Sequence, residues 1–221
     1  MNEAPISTGQ RAAHWDAAYE SRGADGVSWF QPAATTSIQL IERLGIAQGG
    51  AVIDVGGGAS VLADALLDRG FTDVSVLDVS NAALAEVRER LGSNTSLSLL
   101  QEDLLAWSPD RQYDLWHDRA VFHFLVDPND REIYLRTLRS ALRPEGFVIM
   151  ATFASDGPEY CSGLPVCRYS SGDLAEALGP TFQVIEAFRD QHVTPAGVDQ
   201  PFTWVAARHA DSDQEGRDHH G

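Results

Sequence analysis

Short runs of apolar residues alternate along this chain with segments in which apolar residues recur every three or four positions. Runs of the first kind are typical of buried β-strands, and the second pattern predicts helices with one apolar face. From residue 51 onward the two kinds follow one another regularly, which predicts an α/β fold with a doubly wound, mostly parallel sheet. The predicted strands are Ala51–Val55, Val74–Asp78, Leu97–Gln101, Tyr113–His117 and Phe147–Phe153, and the predicted helices are Ser60–Asp68, Asn81–Leu91, Pro128–Leu142 and Ser171–Leu178.

The end of the chain breaks this alternation. Two further strand-like runs, Gln183–Arg189 and Phe202–Arg208, have no helical segment between them. A short connection joins antiparallel strands, so these two are predicted to pair in an antiparallel manner at one edge of the sheet. They complete a predicted seven-stranded sheet.

The first fifty residues contain helical patterns without strands, at His14–Ser21 and Thr35–Leu44. We therefore expect an N-terminal helical lid over residues 1–50, a main domain over residues 51–209, and a polar, disordered tail over residues 210–221. The paired histidines of the tail are better explained by a solvated terminus than by a metal site.

The composition is that of a globular protein, with 43% hydrophobic and 9% aromatic residues. No apolar run approaches the roughly 18 to 20 residues that a membrane span requires, and no signal peptide is visible at the start of the sequence. Two cysteines do not form a disulfide framework. We expect a cytoplasmic protein that does not insert into membranes.

The charge is strongly acidic, since 32 acidic residues face 16 basic ones and the formal net charge is -16. Proteins that bind nucleic acids need lysine and arginine to neutralise phosphates, so a nucleic-acid partner is not expected. A cationic substrate or a basic protein would be attracted at long range, although surplus acid also serves solubility.

Three consecutive glycines, Gly56 to Gly58, follow the first predicted strand in the sequence VIDVGGGAS. A glycine-rich turn at this place lets a ligand approach the backbone closely. The dinucleotide fingerprint G-x-G-x-x-G requires a further glycine where this chain has Val61. Together with Asp54, whose carboxylate would repel a pyrophosphate, this substitution argues against NAD and FAD.

Acidic residues lie at or just after the ends of three successive predicted strands, namely Asp54, Asp78 and Asp103. A carboxylate at the end of the second strand can accept hydrogen bonds from both hydroxyls of a ribose. The other two suit an ammonium group and the exocyclic amine of adenine. An amino acid, a ribose and an adenine are the parts of S-adenosylmethionine.

The ordered motifs VIDVGGGAS, VSVLDVS, LQEDLL and YDLWHDRAVF resemble those of class I S-adenosylmethionine-dependent methyltransferases over roughly residues 28–155. This resemblance implies a Rossmann-like methyltransferase fold with a reversed seventh strand, and S-adenosyl-L-homocysteine as the cofactor product. Ser60 stands where many members have a third glycine, which is a minor departure because serine is small.

The stretch HDRAVFHF after the fourth strand differs from the Asn/Asp-Pro-Pro-Tyr/Phe motif shared by enzymes that methylate nucleobase or glutamine amines. Together with VSWFQP and GPEYCSGLP it resembles the thiopurine and chalcogen methyltransferase branch, which implies a small-molecule acceptor with a thiol, selenol or metalloid. The segments WDAAYE and DR also resemble protein-lysine methyltransferases, and a non-catalytic cofactor-binding module is the third alternative. The candidate cofactor contacts are Trp29, Gln31, Asp54, Gly56, Gly57, Gly58, Asp78, Val79, Asp103, Leu104 and His117.

Candidates for acceptor chemistry lie at or just beyond the end of the fourth strand. Asp118 is expected to hold the cofactor's ammonium group or to orient an acceptor, and His123 to accept a proton. Both also have ordinary structural interpretations. Cys161 and Cys167 are either a metalloid-binding or redox pair or simply two thiols, and no resident metal is expected.

Overall fold

The computed structural model describes residues 8–210, so the predicted tail lies outside the described residues except for Ala210. The helices are α1 (Thr8–Arg22), α2 (Thr35–Leu44), α3 (Leu62–Asp68), α4 (Asn81–Leu91), α5 (Pro128–Ala141) and α6 (Ser171–Leu178). The strands are β1 (Val52–Val55), β2 (Val74–Asp78), β3 (Leu97–Gln101), β4 (Tyr113–Arg119), β5 (Leu142–Phe153), β6 (Tyr160–Cys161), β7 (Leu164–Pro165), β8 (Phe182–Val193) and β9 (Asp199–His209).

Seven strands form one sheet in the order β3-β2-β1-β4-β5-β9-β8, which confirms the predicted fold class. The first five strands are parallel, and β9 is antiparallel to both of its neighbours. The reversed strand therefore lies next to the edge, and β8 is the outermost strand. Because the strand order changes direction between β1 and β4, a crevice opens at the carboxyl ends of these two strands.

The central strands β1, β2 and β4 are buried on both faces, which explains why they read as nearly continuous apolar runs. Successive side chains of β1 point to opposite faces, so Val52 packs with the α2 and α3 layer and Ile53 with the α5 and α6 layer. In β4, Leu115 and Trp116 divide between the layers in the same way. The same alternation determines which functional side chains lie on the same face of the sheet.

The predicted helix limits agree closely with the structure where capping residues mark them. Ser80 accepts a hydrogen bond from the backbone N–H of Ala83, and Asp127 accepts one from that of Asn129. The last helix, α6, begins with a capping box formed by Ser170 and Asp173.

Several features differ from the sequence-based expectations. Helix α1 begins at Thr8 rather than His14, and α3 begins at Leu62 rather than Ser60. Strands β4, β5, β8 and β9 are each longer than predicted, and β5 begins at Leu142, where the preceding helix was expected to end. A hairpin of two-residue strands, β6 and β7, was not predicted because two residues are too short to show periodicity. Its turn residues, Ser162 and Gly163, both have positive φ.

Within residues 8–210, no helix combines the length and the apolar character that crossing a membrane would require. The expected division into a lid and a main domain remains a prediction, although α2 packs into the same core as α3 and the sheet.

Candidate active site

Two adjoining cavities occupy the crevice at the carboxyl ends of the parallel strands. The larger cavity measures about 870 Å³ and the smaller about 560 Å³, open solvent at their mouths included. Four residues line both cavities: Tyr19, Trp29, Gly56 and Arg119. We name the larger cavity the adenosine cavity and the smaller one the head-group cavity, after the parts of the expected cofactor.

The glycine turn forms the floor of the head-group cavity. Gly56 has φ +60°, and a Cβ atom there would lie 2.1 Å from Cγ2 of Val121. A Cβ on Gly57 would lie 2.5 Å from Oδ2 of Asp54. Neither position leaves room for a side chain, so glycine is required by contact at both and by backbone conformation as well at Gly56. Gln31, Trp29, Asp54 and His117 from the predicted set also line this cavity.

Asp54 and His117 are direct neighbours in the β1–β4 ladder, so their side chains emerge on the same face of the sheet. Nδ1 of His117 lies 2.7 Å from Oδ1 of Asp54, and Nε2 of His117 lies 2.9 Å from Oγ of Ser37 in α2. All three side chains are buried. Sequence analysis did not find Ser37, because no local pattern reveals which helix covers this face.

Besides Trp29 and Gly56, which line both cavities, the adenosine cavity is lined by four further residues of the predicted set, namely Asp78, Val79, Asp103 and Leu104. Burial raises the pKa of Asp78 to about 6, although hydrogen bonds from the backbone N–H groups of Ser80 and Gly58 oppose the shift. Gly58 itself lines neither cavity and acts through this hydrogen bond.

Asp103 is already engaged in the structure. Nη2 and Nε of Arg11 donate to its Oδ2 at 2.6 and 3.1 Å, and the backbone N–H of Leu105 donates to its Oδ1 at 3.1 Å. Burial alone would raise the pKa of Asp103, but the hydrogen bonds from Arg11 and its neighbours outweigh burial and lower it. An adenine amine that binds Asp103 therefore competes with Arg11.

Helix α1 closes the crevice from above. Oη of Tyr19 accepts a hydrogen bond from Nε1 of Trp29 at 3.1 Å, and burial raises the pKa of Tyr19 well above its usual value. Trp15 packs edge-on against Trp29 and Phe124, with ring centroids 5.6 and 4.9 Å apart. Asp16 accepts hydrogen bonds from Oγ of Ser80 and from the backbone N–H of Ala82, at the start of α4. Helix α1 thus contacts the segment that joins β2 to α4 directly.

Arg119, at the end of β4, lies where the two cavities meet. Its Nη1 donates to the backbone carbonyl of Trp29 at 2.9 Å, and its guanidinium carbon lies 4.9 Å from the ring centroid of Phe202. Its Nε and Nη2 atoms are buried and have no hydrogen-bond partner among the described residues. Burial lowers the pKa of Arg119 to about 10, which still leaves it charged at neutral pH.

Asp118 and His123 line neither of these two cavities, so their expected roles beside the reacting groups remain predictions that the geometry does not favour. Asp118 follows His117 in β4 and points to the opposite face, as strand geometry requires. There it accepts hydrogen bonds from Oη of Tyr134 at 2.6 Å and from the backbone N–H groups of Val121 and Phe122. It holds the loop after β4 in place.

His123 lies in the short 3-10 turn after β4 and is fully buried. Its Nδ1 accepts a hydrogen bond from the backbone N–H of Phe153 at 3.3 Å. Burial, reinforced by the charge of Arg119, lowers the pKa of His123 to about 3. A histidine so weakly basic and so enclosed is poorly suited to accept a proton from a substrate.

The two cysteines are not bonded to one another and have different surroundings. Cys161, in the β6–β7 hairpin, lines the adenosine cavity, and burial raises the pKa of its thiol to about 11. Cys167 instead packs near Arg131 and the carbonyl of Leu125. In the described part of the chain, no group of three histidine, cysteine or acidic side chains is arranged to hold a metal ion.

Comparison with known proteins agrees with this geometry. Residues 53–148 match the family described as a methyltransferase domain. The chain is 26% identical over 198 residues to EEF1A lysine methyltransferase 2 of Danio rerio, covering 82% of this chain and 78% of the relative. It is 29% identical over 156 residues to thiocyanate methyltransferase 1 of Brassica oleracea, covering 66% of each protein.

A similar solved structure is the 1,6-didemethyltoxoflavin-N1-methyltransferase of Burkholderia thailandensis with bound 1,6-didemethyltoxoflavin and S-adenosylhomocysteine. It superposes with a TM-score of 0.72 at 21% identity, covering 96% of this chain and 94% of that one. At this identity the likeness shows the fold, and the acceptor has to be argued from the site itself.

Proposed function

We propose that this chain, a class I S-adenosylmethionine-dependent methyltransferase, transfers its methyl group to a small, soft nucleophile such as a thiol, a selenol or a metalloid anion. The choice of acceptor class rests on the lining of the adenosine cavity. Besides Asp78 and Asp103, this cavity is lined by aromatic side chains and by the cationic side chain of Arg119. A thiolate is stabilised by a nearby guanidinium, whereas a lysine ammonium is repelled by it.

The residues of both cavities fit S-adenosylmethionine. Asp54 keeps Oδ2 beside the glycine turn, where the cofactor's ammonium group can pair with it. Asp78 at the end of β2 suits the ribose hydroxyls, and Asp103 suits the adenine once Arg11 has yielded. The close-packed glycines allow the ligand to lie against the backbone. When bound, the cofactor would supply an electrophilic methyl group, which an in-line nucleophile takes from the sulfonium while the carbon–sulfur bond breaks and S-adenosyl-L-homocysteine leaves as a neutral thioether.

On the acceptor side, Trp15, Trp29 and Phe124 exclude water and restrict the space, which aligns a small reactant without a general base. Thiols need little assistance, since they lose their proton about two pH units earlier than lysine. Arg119 favours the thiolate and so lowers the apparent pKa of the bound acceptor. Cys161 remains a neutral thiol at pH 7 and does not compete as a nucleophile.

A protein lysine is the second candidate acceptor. The relative in Danio rerio is named as a lysine methyltransferase and aligns over most of this chain. The net charge of -16 would attract a basic protein. A lysine must lose its proton before attack, so this reaction would accelerate at raised pH.

The deciding experiment incubates the purified protein with methyl-labelled cofactor and either a panel of thiols and selenols or a basic protein extract. We expect label in the small-molecule fraction, with rates for a model thiol at pH 7 at least about tenfold lower for Arg119→Met than for Arg119→Lys, which keeps the charge. Label confined to macromolecules would assign the lysine reaction instead. Cofactor binding with no turnover on any acceptor would identify a non-catalytic binding module.

A further inference from the structure

We infer that Ser37 and His117 are positioning residues that orient the carboxylate of Asp54 toward the amino-acid head group of the cofactor. Ser37, His117 and Asp54 form a buried hydrogen-bonded chain that ends in the head-group cavity. This inference rests on the proposed function, because it assigns the cofactor's ammonium group to Asp54.

The direction of the hydrogen bonds follows from the chemistry of the three groups. An ionised carboxylate can only accept, so Nδ1 of His117 carries the proton that it shares with Oδ1 of Asp54. Nε2 of the neutral ring is then an acceptor, and the hydroxyl of Ser37 donates to it. The relative exposures are 2% for Ser37, 2% for His117 and 3% for Asp54, so water does not replace these bonds.

The hydrogen bond from His117 occupies one carboxylate oxygen of Asp54 and leaves the other available to a ligand. Oδ1 is held by His117, whereas Oδ2 faces the glycine turn, where a Cβ on Gly57 would lie 2.5 Å away. Since Asp54 and His117 are ladder neighbours and Ser37 is in α2, three elements fix one carboxylate orientation. Without His117 the carboxylate could rotate about its last bond, and the ammonium would bind a less ordered partner.

Two matched ligands separate this role from a general structural one. S-adenosylhomocysteine carries the amino-acid head group, whereas 5′-methylthioadenosine has the same adenosine without it. We expect His117→Leu to weaken binding of S-adenosylhomocysteine about tenfold in calorimetric titration while binding of 5′-methylthioadenosine changes less than about twofold. His117→Asn, which retains a donor near the position of Nδ1, should recover most of the loss.

The role of Ser37, at the far end of the hydrogen-bonded chain, is tested in the same way. Ser37→Ala should weaken binding of S-adenosylhomocysteine about threefold to fivefold, and Ser37→Thr, which keeps the hydroxyl, should restore it. Thr36→Ala is the matched control, because Thr36 precedes Ser37 in α2 but bonds to Asp190. This control should leave the affinity for both ligands unchanged.

If His117→Leu weakened binding of both ligands equally, the three hydrogen-bonded residues would only support the fold. If His117→Leu left the affinity for S-adenosylhomocysteine unchanged, the inference would be overturned outright. The same three residue types also form nucleophilic triads, so covalent labelling of Ser37 by a fluorophosphonate would overturn the positioning role in favour of a nucleophile. Wild-type protein that binds S-adenosylhomocysteine, together with a His117→Leu variant that binds it equally well, would contradict the inference alone and leave the proposed function standing. Wild-type protein that does not bind S-adenosylhomocysteine would contradict the proposed function as well.

Discussion

Burial is the first cause of the pKa shifts at Asp78, Asp118 and His123. The pKa values of the two carboxyls rise to about 6, and that of His123 falls to about 3. The three groups therefore affect stability in opposite directions as the pH changes. The folded state binds the extra protons of the two aspartates between about pH 4 and 6, whereas the unfolded state binds that of His123 between about pH 3 and 6.5.

The first prediction isolates His123. Because its folded pKa lies below its unfolded pKa, stability from this group is complete above about pH 6.5 and is lost as the pH falls toward 3. At pH 5 the loss amounts to about 2 kcal/mol. His123→Gln has no such titration, so urea unfolding should show wild type losing about 2 kcal/mol more than the variant between pH 7 and 5. Parallel pH profiles would contradict the assigned burial effect.

The second prediction compares two glycines with positive φ. Gly58 has φ +51°, and a Cβ there would lie 2.3 Å from Oη of Tyr19. Gly45 has φ +70° and open space around it. Gly45→Ala should cost only about 1 to 2 kcal/mol of unfolding free energy, from backbone strain. Gly58→Ala should cost more and should also weaken binding of S-adenosylhomocysteine about tenfold, because Tyr19 has to move.

At the scale of elements, α1 is held over the crevice by polar contacts and by the aromatic packing of Trp15. Arg11 contacts Asp103 and Asp16 contacts the start of α4, where an acidic side chain also complements the helix dipole. Strands β1 and β2, by contrast, are buried on both faces. We therefore expect the amide hydrogens of α1 to exchange independently of those in the sheet.

The third prediction tests this attachment. Asp16→Ala removes the acceptor for Ser80 and Ala82, so amide hydrogen exchange in residues 10–22 should become about tenfold faster while exchange in α5 stays the same. Glu20→Ala changes an exposed acidic residue of the same helix and should have little effect. Faster exchange throughout the protein would mean that Asp16 stabilises the whole fold rather than the lid.

At the scale of the whole molecule, the cofactor crevice joins α1, α2 and the ends of β1, β2 and β4, so a ligand there should stabilise the chain as one unit. The fourth prediction is that S-adenosylhomocysteine at one hundred times its Kd adds about 3 kcal/mol of stability and raises Tm by roughly 5 to 10 °C. Asp78→Ala should abolish most of this shift at the same concentration. NADH serves as the negative control, and an equal shift with NADH would contradict the cofactor assignment.

The strands, most helices and the acids at the strand ends could be predicted from the sequence, because each depends on local periodicity, capping residues or position at the end of a run. Asp78 and Asp103 followed directly from the strand limits. The two-residue period of a strand also indicates that Asp118 lies on the face opposite His117, and the hydrogen bonds of the two side chains agree with it.

The tertiary structure alone decided which distant side chains meet. Ser37 is 80 residues from His117 along the chain, and Arg11 is 92 residues from Asp103. Such pairs depend on how helices pack over the sheet, which no local pattern encodes. The low pKa of His123 likewise depends on burial by several elements at once. The same holds for Nε and Nη2 of Arg119, which are buried without a hydrogen-bond partner among the described residues. The sequence by itself determined the order of strands and helices and the acidic residues at the strand ends. Packing determined how these acidic residues are oriented, paired and charged.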